Sequence, residues 1–399
     1  MGHPGPGFAH ISVDVNALRD ELGNVSADGL RCPGLGWSAD TNGTLPGLGP
    51  GCNWCCGSPL YRILAIGFMA TLAGAVVVGN AITVTVFLGT RQFRTPQGYL
   101  KVSLALADLM VGVLVVPFSV YTEIVWMSGG GAPPVWALGY SARGVGGGGG
   151  WWWPCHLVGL VFAGCTFVSI STIFLLTAER SVAILKPLQK DMVVTRRRTL
   201  ATIGCSWLAA FVLAAAPLLF SDHFTLQYNE CSRMCNYAPV PPPSTPSTWS
   251  ILLLFPAFDF TLLGGTLVVN ALSFSTIRRC SKRRKFLVEA DNFPGPRRPS
   301  FSDIKAAKTI AIVTFAFAAS FSPIAAFVAG SVSGYCWCTF SFFAFWILAS
   351  NSCCNFVIYS VSDQRFRKGV HQLFCKNLHA LPEKELNARR FGFPVDLQQ

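Results

Sequence analysis

Charge is scarce in this sequence. Asp, Glu, Lys and Arg together make up 13% of its 399 residues, against 51% hydrophobic residues and a mean hydropathy of +0.46. A soluble chain carries roughly a quarter charged residues, and the apolar runs here lack the charged outer faces that one large soluble core would need. No repeat at a fixed period is visible, which disfavours transporters built from inverted repeats. Also missing are the groups of an intramembrane enzyme, such as Gly-x-Gly-Asp with a second acid, or a Ser–His pair at depth. The Cys336-x-Cys338 spacing has no His/Cys pair nearby to complete a tetrahedral zinc site. MGHPGPGFAH has no apolar stretch after its Met, so no cleavable signal peptide is read there. The first apolar run is expected to serve as the insertion signal, and Pro6 argues against N-myristoylation.

What the sequence has instead is seven long apolar runs, at roughly 60–90, 97–126, 155–186, 199–220, 249–276, 304–331 and 338–361. Each is at or near the ~20 residues that cross a ~30 Å hydrocarbon core as a helix. Unpaired backbone groups are not tolerated in lipid, so the runs are expected to be helical. The fold class expected is an all-α membrane protein, a seven-transmembrane helix bundle followed by a short amphipathic eighth helix. Three segments follow from this: 1–57, rich in Gly, Pro, Asn and Asp and expected to be mostly disordered; 58–362, the bundle; and 363–399, the eighth helix and tail.

The cations set the orientation. Most of the 31 Lys and Arg fall between spans 1 and 2 (Arg91, Arg94), between 3 and 4 (Lys186 to Arg198), between 5 and 6 (Arg278 to Lys308) and in the tail (Arg365 to Arg390). By the positive-inside rule the tail is cytoplasmic and the N-terminus outside, as expected of a multi-pass plasma-membrane protein. Topology therefore accounts for the net charge of +12, and no nucleic-acid partner is needed. The acceptor triplets at Asn24 and Asn42 agree with an external, glycosylated N-terminus.

The run LLTAERSVAILKPL ends an apolar stretch with Glu179 and Arg180. From Cys155 to Arg180 is about 37 Å of helix, which puts one residue at each membrane face. Other spans carry Gly79-Asn80, Asp108 with Pro117, Trp207 with Pro217, and Phe317 with Ser320-Phe-Ser-Pro323. The seventh has Asn355-Phe-Val-Ile-Tyr359, followed by Asp363-Gln-Arg-Phe366. This set resembles the rhodopsin-like (class A) G-protein-coupled receptors over about 58–375. The departures are Ser181 for the Tyr after Glu-Arg, Phe321 for a Trp, Phe356 for the Pro of Asn-Pro-x-x-Tyr, and Gly264 where a Tyr is expected. With the Asn-Ser-Cys-Cys-Asn run at 351–355, these resemble an orphan-type member with high basal activity.

The resemblance implies a receptor that performs no chemistry of its own and passes an extracellular ligand's signal to a heterotrimeric G protein. Arrestin, a receptor kinase and membrane lipid are further partners it implies. A snorkelling charge would explain Arg180 blandly; the resemblance implies a switch, with Arg180 held by Glu179 and by Asp303, twenty residues before Pro323. Asn355 and Tyr359 belong to the same cytoplasmic switch. Ile170, Pro256 and Phe317 resemble the packing triad that couples spans 5 and 6, with Phe321 and the Pro323 kink above it. Asp108, with Ser169, Asn351, Ser352 and Asn355, resembles a sodium pocket; a neutral Asp108 hydrogen-bonded to the same groups is the other reading. Sodium is the one ion implied, with no other cofactor or metal.

In the outer half, Phe162 stands where amine receptors hold Asp, and Ala349 where opsins hold Lys, so neither group is implied. Glu123, Phe162, Thr166, Asp259 and Phe327 are expected to line a ligand cavity. Asp259 either meets a basic ligand or pairs with a neighbouring helix. The resemblance pairs Cys155 with Cys231 or Cys235, and Cys235 fits better; a local bridge between Cys336 and Cys338 would be strained. Cys375 resembles a palmitoylation site. The competing class is a seven-helix ion channel, pump or lipid scramblase, which needs a continuous polar path.

Overall fold

In the computed structural model the described residues are 59–129, 154–185, 192, 194–220, 224–239, 251–289, 301–332 and 338–373, with the side chains of 59, 239, 280–289, 301–308, 310 and 332 excepted. Among them are seven helices long and apolar enough to cross a membrane. They are α1 (Pro59–Gly89), α2 (Pro96–Ser128), α3 (Pro154–Leu185), α4 (Arg196–Leu219), α5 (Leu254–Glu289), α6 (Phe301–Val332) and α7 (Cys338–Ser362). A shorter helix, α8 (364–373), follows α7 after a one-residue break. Asn24, Asn42 and Cys375 lie outside the described residues, as does the side chain of Asp303.

The sequence places the helix starts. Thr95 accepts a hydrogen bond from the Gly98 amide at 3.2 Å, with Pro96 as the first helical residue of α2; a threonine cap followed by proline satisfies one free amide and removes another. Thr195 likewise caps α4, accepting from the Arg198 amide, with Arg196 rather than proline as the first helical residue. Pro117 cannot donate to the carbonyl four residues back, and the turn before it, Val111–Val115, opens into a π-helix in which the Val116 amide reaches Val111. The extra residue rotates the rest of α2 by about 100°. Ser119, Thr122, Glu123 and Trp126 then face inward.

α3 is the axis of the bundle: 72% of its most apolar stretch is buried by protein, against 22% for the peripheral α4. Polar bonds tie other helices across the apolar interior. The Asn80 amide donates to the carbonyls of Val76 and Ser352, both at 2.9 Å, joining α1 to α7. Trp207 donates its indole N–H to Ser103 Oγ at 2.9 Å, joining α4 to α2. Gly79 lets α1 approach Phe356, since a Cβ there would sit 2.9 Å from the phenyl ring. Phe356 is the residue that replaces the family's proline, and Gly79 makes room for it.

Between α4 and α5 lies an element that the all-α expectation omitted. β1 (Phe224–Asn229) and β2 (Met234–Pro239) form an antiparallel hairpin with Tyr228 opposite Cys235. The alternating burial along FTLQYN is the period-2 pattern of a half-buried strand, and it was visible in the sequence. Asn229 Oδ1 accepts from the amides of Cys231 and Ser232 and shapes the turn. Disulfides anchor the hairpin on two sides: Cys155–Cys235 fixes β2 to α3, and Cys231–Cys338 fixes the turn to α7. Cys338 therefore bonds across the bundle rather than to Cys336.

The Gly79–Phe356 contact gives a direct test. Gly79→Leu should lower the thermal midpoint of the purified protein through overpacking of about 1–3 kcal/mol, and adding Phe356→Ala should restore much of the loss. A Gly79→Leu midpoint equal to wild type would mean that α1 and α7 do not pack this closely.

Candidate functional site

At the C-terminal end of α3, Glu179 is buried and Arg180 partly so. The structure inserts a residue that sequence reading missed. Gln97, in the first turn of α2, donates its amide to Glu179 and accepts from the Arg180 guanidinium. One amide thus engages acid and base together, and links both to α2. Beside it, Lys101 Nζ lies 3.2 Å from Asp363 Oδ2 and over the rings of Tyr359 (4.6 Å) and Phe87 (4.9 Å). Asp363 also caps α8 by accepting from the amides of Arg365 and Phe366. Lys101 was legible: it is a cation inside an apolar run, seven residues before Asp108. Tyr359 is 2% exposed and its hydroxyl has no hydrogen-bond partner among the described residues. Gly264 offers it no side chain, and a Cβ added there meets nothing within 4 Å.

Deeper in the bundle, Asp108 Oδ2 accepts from the Asn355 amide at 2.8 Å. Asp108, Ser169, Asn351 and Ser352 border one cavity of about 10 Å³, room for a single water-sized species. Asn355 turns its NH2 group, not its oxygen, to the carboxylate. Of the packing residues, Ile170 and Phe317 are buried in the core, and Phe317 stacks on Phe321 at 6.0 Å with the rings 10° apart. Pro256 lines the outer cavity instead. Pro323 interrupts the hydrogen-bond ladder of α6 one turn from that stack.

The outer cavity, about 130 Å³, lies between α3, α5, α6 and α7 beneath the hairpin. Phe162, Thr166, Asp259, Phe321 and Phe327 all line it. Glu123 does not, which corrects the expectation that it faces ligand. Its carboxylate takes Tyr228 Oη at 2.7 Å, Arg62 Nη1 at 3.2 Å and the Arg233 guanidinium. Arg233 makes that contact from a left-handed backbone, φ 53°, an uncommon conformation for a residue with a side chain. Burial, and secondarily the carboxylate, hold the Tyr228 phenol well above its ordinary pKa, so it remains a donor. This cluster ties the hairpin turn to α1 and α2. His156 also lies outside the cavity, with Nε2 3.4 Å from Thr225 Oγ1.

Seven helices long and apolar enough to cross a membrane, with a Glu-Arg pair at one end and a cavity under a disulfide-anchored hairpin at the other, define a multi-pass helical membrane protein. The family profile described as 7 transmembrane receptor (rhodopsin family) matches residues 79–359. The chain belongs to that family of G-protein-coupled receptors. Similar proteins include Neuropeptide receptor 22 of Caenorhabditis elegans, 28% identical over 167 residues (42% of this chain, 34% of that protein). The D(4) dopamine receptor of Mustela putorius furo is 32% identical over 181 residues (45% of each). The Gq-coupled rhodopsin of Mizuhopecten yessoensis is 24% identical over 325 residues (78% of this chain, 60% of that protein). The matches thus span between 34% and 60% of those relatives' lengths.

The Glu123 cluster predicts a large local effect. Glu123→Ala removes the carboxylate shared by Arg62, Arg233 and Tyr228 and should destabilise the fold by about 3–5 kcal/mol, read as a lower thermal midpoint in detergent. A midpoint unchanged from wild type would show that the cluster holds nothing in place.

Proposed function

We propose that the protein is a plasma-membrane receptor, N-terminus outside and C-terminus in the cytoplasm, that promotes nucleotide exchange on a heterotrimeric G protein. It performs no chemistry of its own. The orientation is supported by the cations clustered in the loops on the tail side. The observation that carries the reading is the Arg180–Gln97–Glu179 bridge at the inner end of α3. While the bridge holds, the guanidinium is occupied by the receptor. When α6 tilts at Pro323, a groove opens at the cytoplasmic face and Arg180 turns to a helix of the G protein. Asp303, on the first turn of α6, adds a carboxylate to the resting state, and Asn355 and Tyr359 carry the movement to α7.

The ligand comes from outside and occupies the cavity under the hairpin. Ala349 has no amine for a retinal linkage, so the similarity to the Mizuhopecten yessoensis rhodopsin does not extend to photopigment chemistry here. Phe162 removes the α3 counter-ion that an amine receptor uses. Sodium at Asp108, held with Ser169, Asn351 and Ser352, would favour the resting arrangement, since these hard oxygens suit a hard cation. A thermal midpoint indifferent to exchanging sodium for choline would remove the ion. Arrestin and a receptor kinase act on the cytoplasmic face, with Cys375 acylated against membrane lipid and Asn24 and Asn42 glycosylated outside.

Basal cyclic AMP and calcium in transfected cells test the reading at equal surface expression. Arg180→Ala should abolish any signal above mock, and Asp303→Ala should raise it severalfold, since loss of an ionic lock shifts a two-state equilibrium by about a kcal/mol or more. Signals that ignore both substitutions, together with ion or lipid movement in proteoliposomes, would favour the channel or scramblase class.

A further inference from the structure

Two acceptors in the outer cavity have no donor among the described residues. Asp259, on α5, is 1% exposed and its Oδ1 makes no hydrogen bond. Asn236, on β2, is 8% exposed; it spends its NH2 on Ser232 Oγ at 3.3 Å and leaves Oδ1 without a partner. Both residues line the same cavity. A carboxylate in the dry half of a membrane bundle is expensive, and leaving its oxygen without a donor adds to that expense. Elsewhere among the described residues the protein handles buried acids differently. Glu123 has two guanidinium groups and a phenol, and Asp108 has Asn355. Asp259 is treated as though its partner arrives from outside.

The rest of the wall says what that partner is. Among the described residues no Lys, Arg or His lines the cavity, so an anion would find no counter-charge. The rings of Phe162, Phe167, Phe255, Phe327 and Phe345 supply apolar faces that also attract a cation. At about 130 Å³, against the roughly 150 Å³ that holds benzene, the cavity limits the occupant to a single ring with a short arm, seated by rotation of lining side chains. We propose that the cavity binds a small arylalkylamine cation: its ring among these phenylalanines, its ammonium donating to Asp259 Oδ1 and Asn236 Oδ1. The counter-ion then comes from α5, while the corresponding place on α3 is filled by Phe162. This rests on the receptor reading above and adds the chemical class of the ligand.

The test uses the full-length protein purified in lipid nanodiscs, with 2-phenylethylamine as probe and 2-phenylethanol as its neutral counterpart. At concentrations up to about 1 mM the amine should raise the thermal midpoint saturably by about 2–5 °C, as a ligand that binds only the folded state does, and the alcohol should need at least about tenfold more. Asp259→Asn should remove the difference between the two probes. Without any probe, that variant should unfold at or above the wild-type midpoint, because an unpaired buried charge has been removed. A lowered midpoint for unliganded Asp259→Asn would show that the acid pairs within the protein, and the proposal would fall. It would fall equally if amine and alcohol were equivalent, or if neither bound. Basal, Arg180-dependent nucleotide exchange measured on the same preparation separates this failure from failure of the receptor reading.

Discussion

A single side-chain amide ties the start of α2 to the end of α3. Gln97 donates to Glu179 with one end and accepts from Arg180 with the other. Acid, amide and base form a short polar chain where the helices leave the hydrocarbon. A carboxylate or guanidinium at that depth needs partners, and the amide serves both without adding charge. Because Gln97 sits in the first turn of α2, just inside the Thr95 cap, the position of the Arg180 head depends on where α2 begins. Next to it, Lys101 spans from α2 to the α7–α8 elbow, resting on Tyr359 and paired with Asp363. Tyr359 is thus held by a cation over its ring, with its hydroxyl unbonded among the described residues. The family triplet and the Asn-x-x-x-Tyr run are connected here through two α2 residues that belong to neither motif.

The two ends of the bundle differ in how their elements are joined. Outside, two disulfides and the Arg62–Glu123–Arg233–Tyr228 cluster fix the hairpin to α1, α2, α3 and α7. Covalent bonds and buried charges do not exchange partners cheaply. At the other end the described contacts include the Gln97 hydrogen bonds and the Lys101–Asp363 ion pair, whose side chains are 12% and 22% exposed. Between them the Phe317–Phe321 stack and the Pro323 interruption give α6 a place to bend. The proposed signalling uses this difference, with the hairpin end fixed and the Arg180 end changing partners.

The helices were legible because crossing a bilayer leaves little choice: length, apolarity and cation placement are forced. The seven expected runs agree with the observed helices to within a few residues at most ends. The buried cluster around Glu123 was not legible. It depends on the π-turn at Val111–Val115 rotating the upper part of α2, and on a hairpin whose turn carries Arg233 in a left-handed conformation. Neither follows from the apolar pattern. The Cys231–Cys338 bridge was hidden for a similar reason, since sequence proximity favours Cys336 and only the hairpin's position brings Cys231 to α7. Gln97 gave no signal, as a glutamine at the start of a helix is ordinary. Lys101 gave one, being a charge within an apolar run.

In the proposed switch the Arg180–Gln97–Glu179 chain holds the mouth of the bundle closed, and movement of α6 opens it. Pulsed electron-paramagnetic-resonance distances between spin labels at Thr202 on α4 and Ala307 on α6, attached through unnatural amino acids, measure that movement directly. In nanodiscs the distance should lengthen by several ångströms on adding a nucleotide-free heterotrimer, and Gln97→Leu should populate the longer distance before any G protein is added. A single unchanged distance in both proteins, with and without the heterotrimer, would contradict the account.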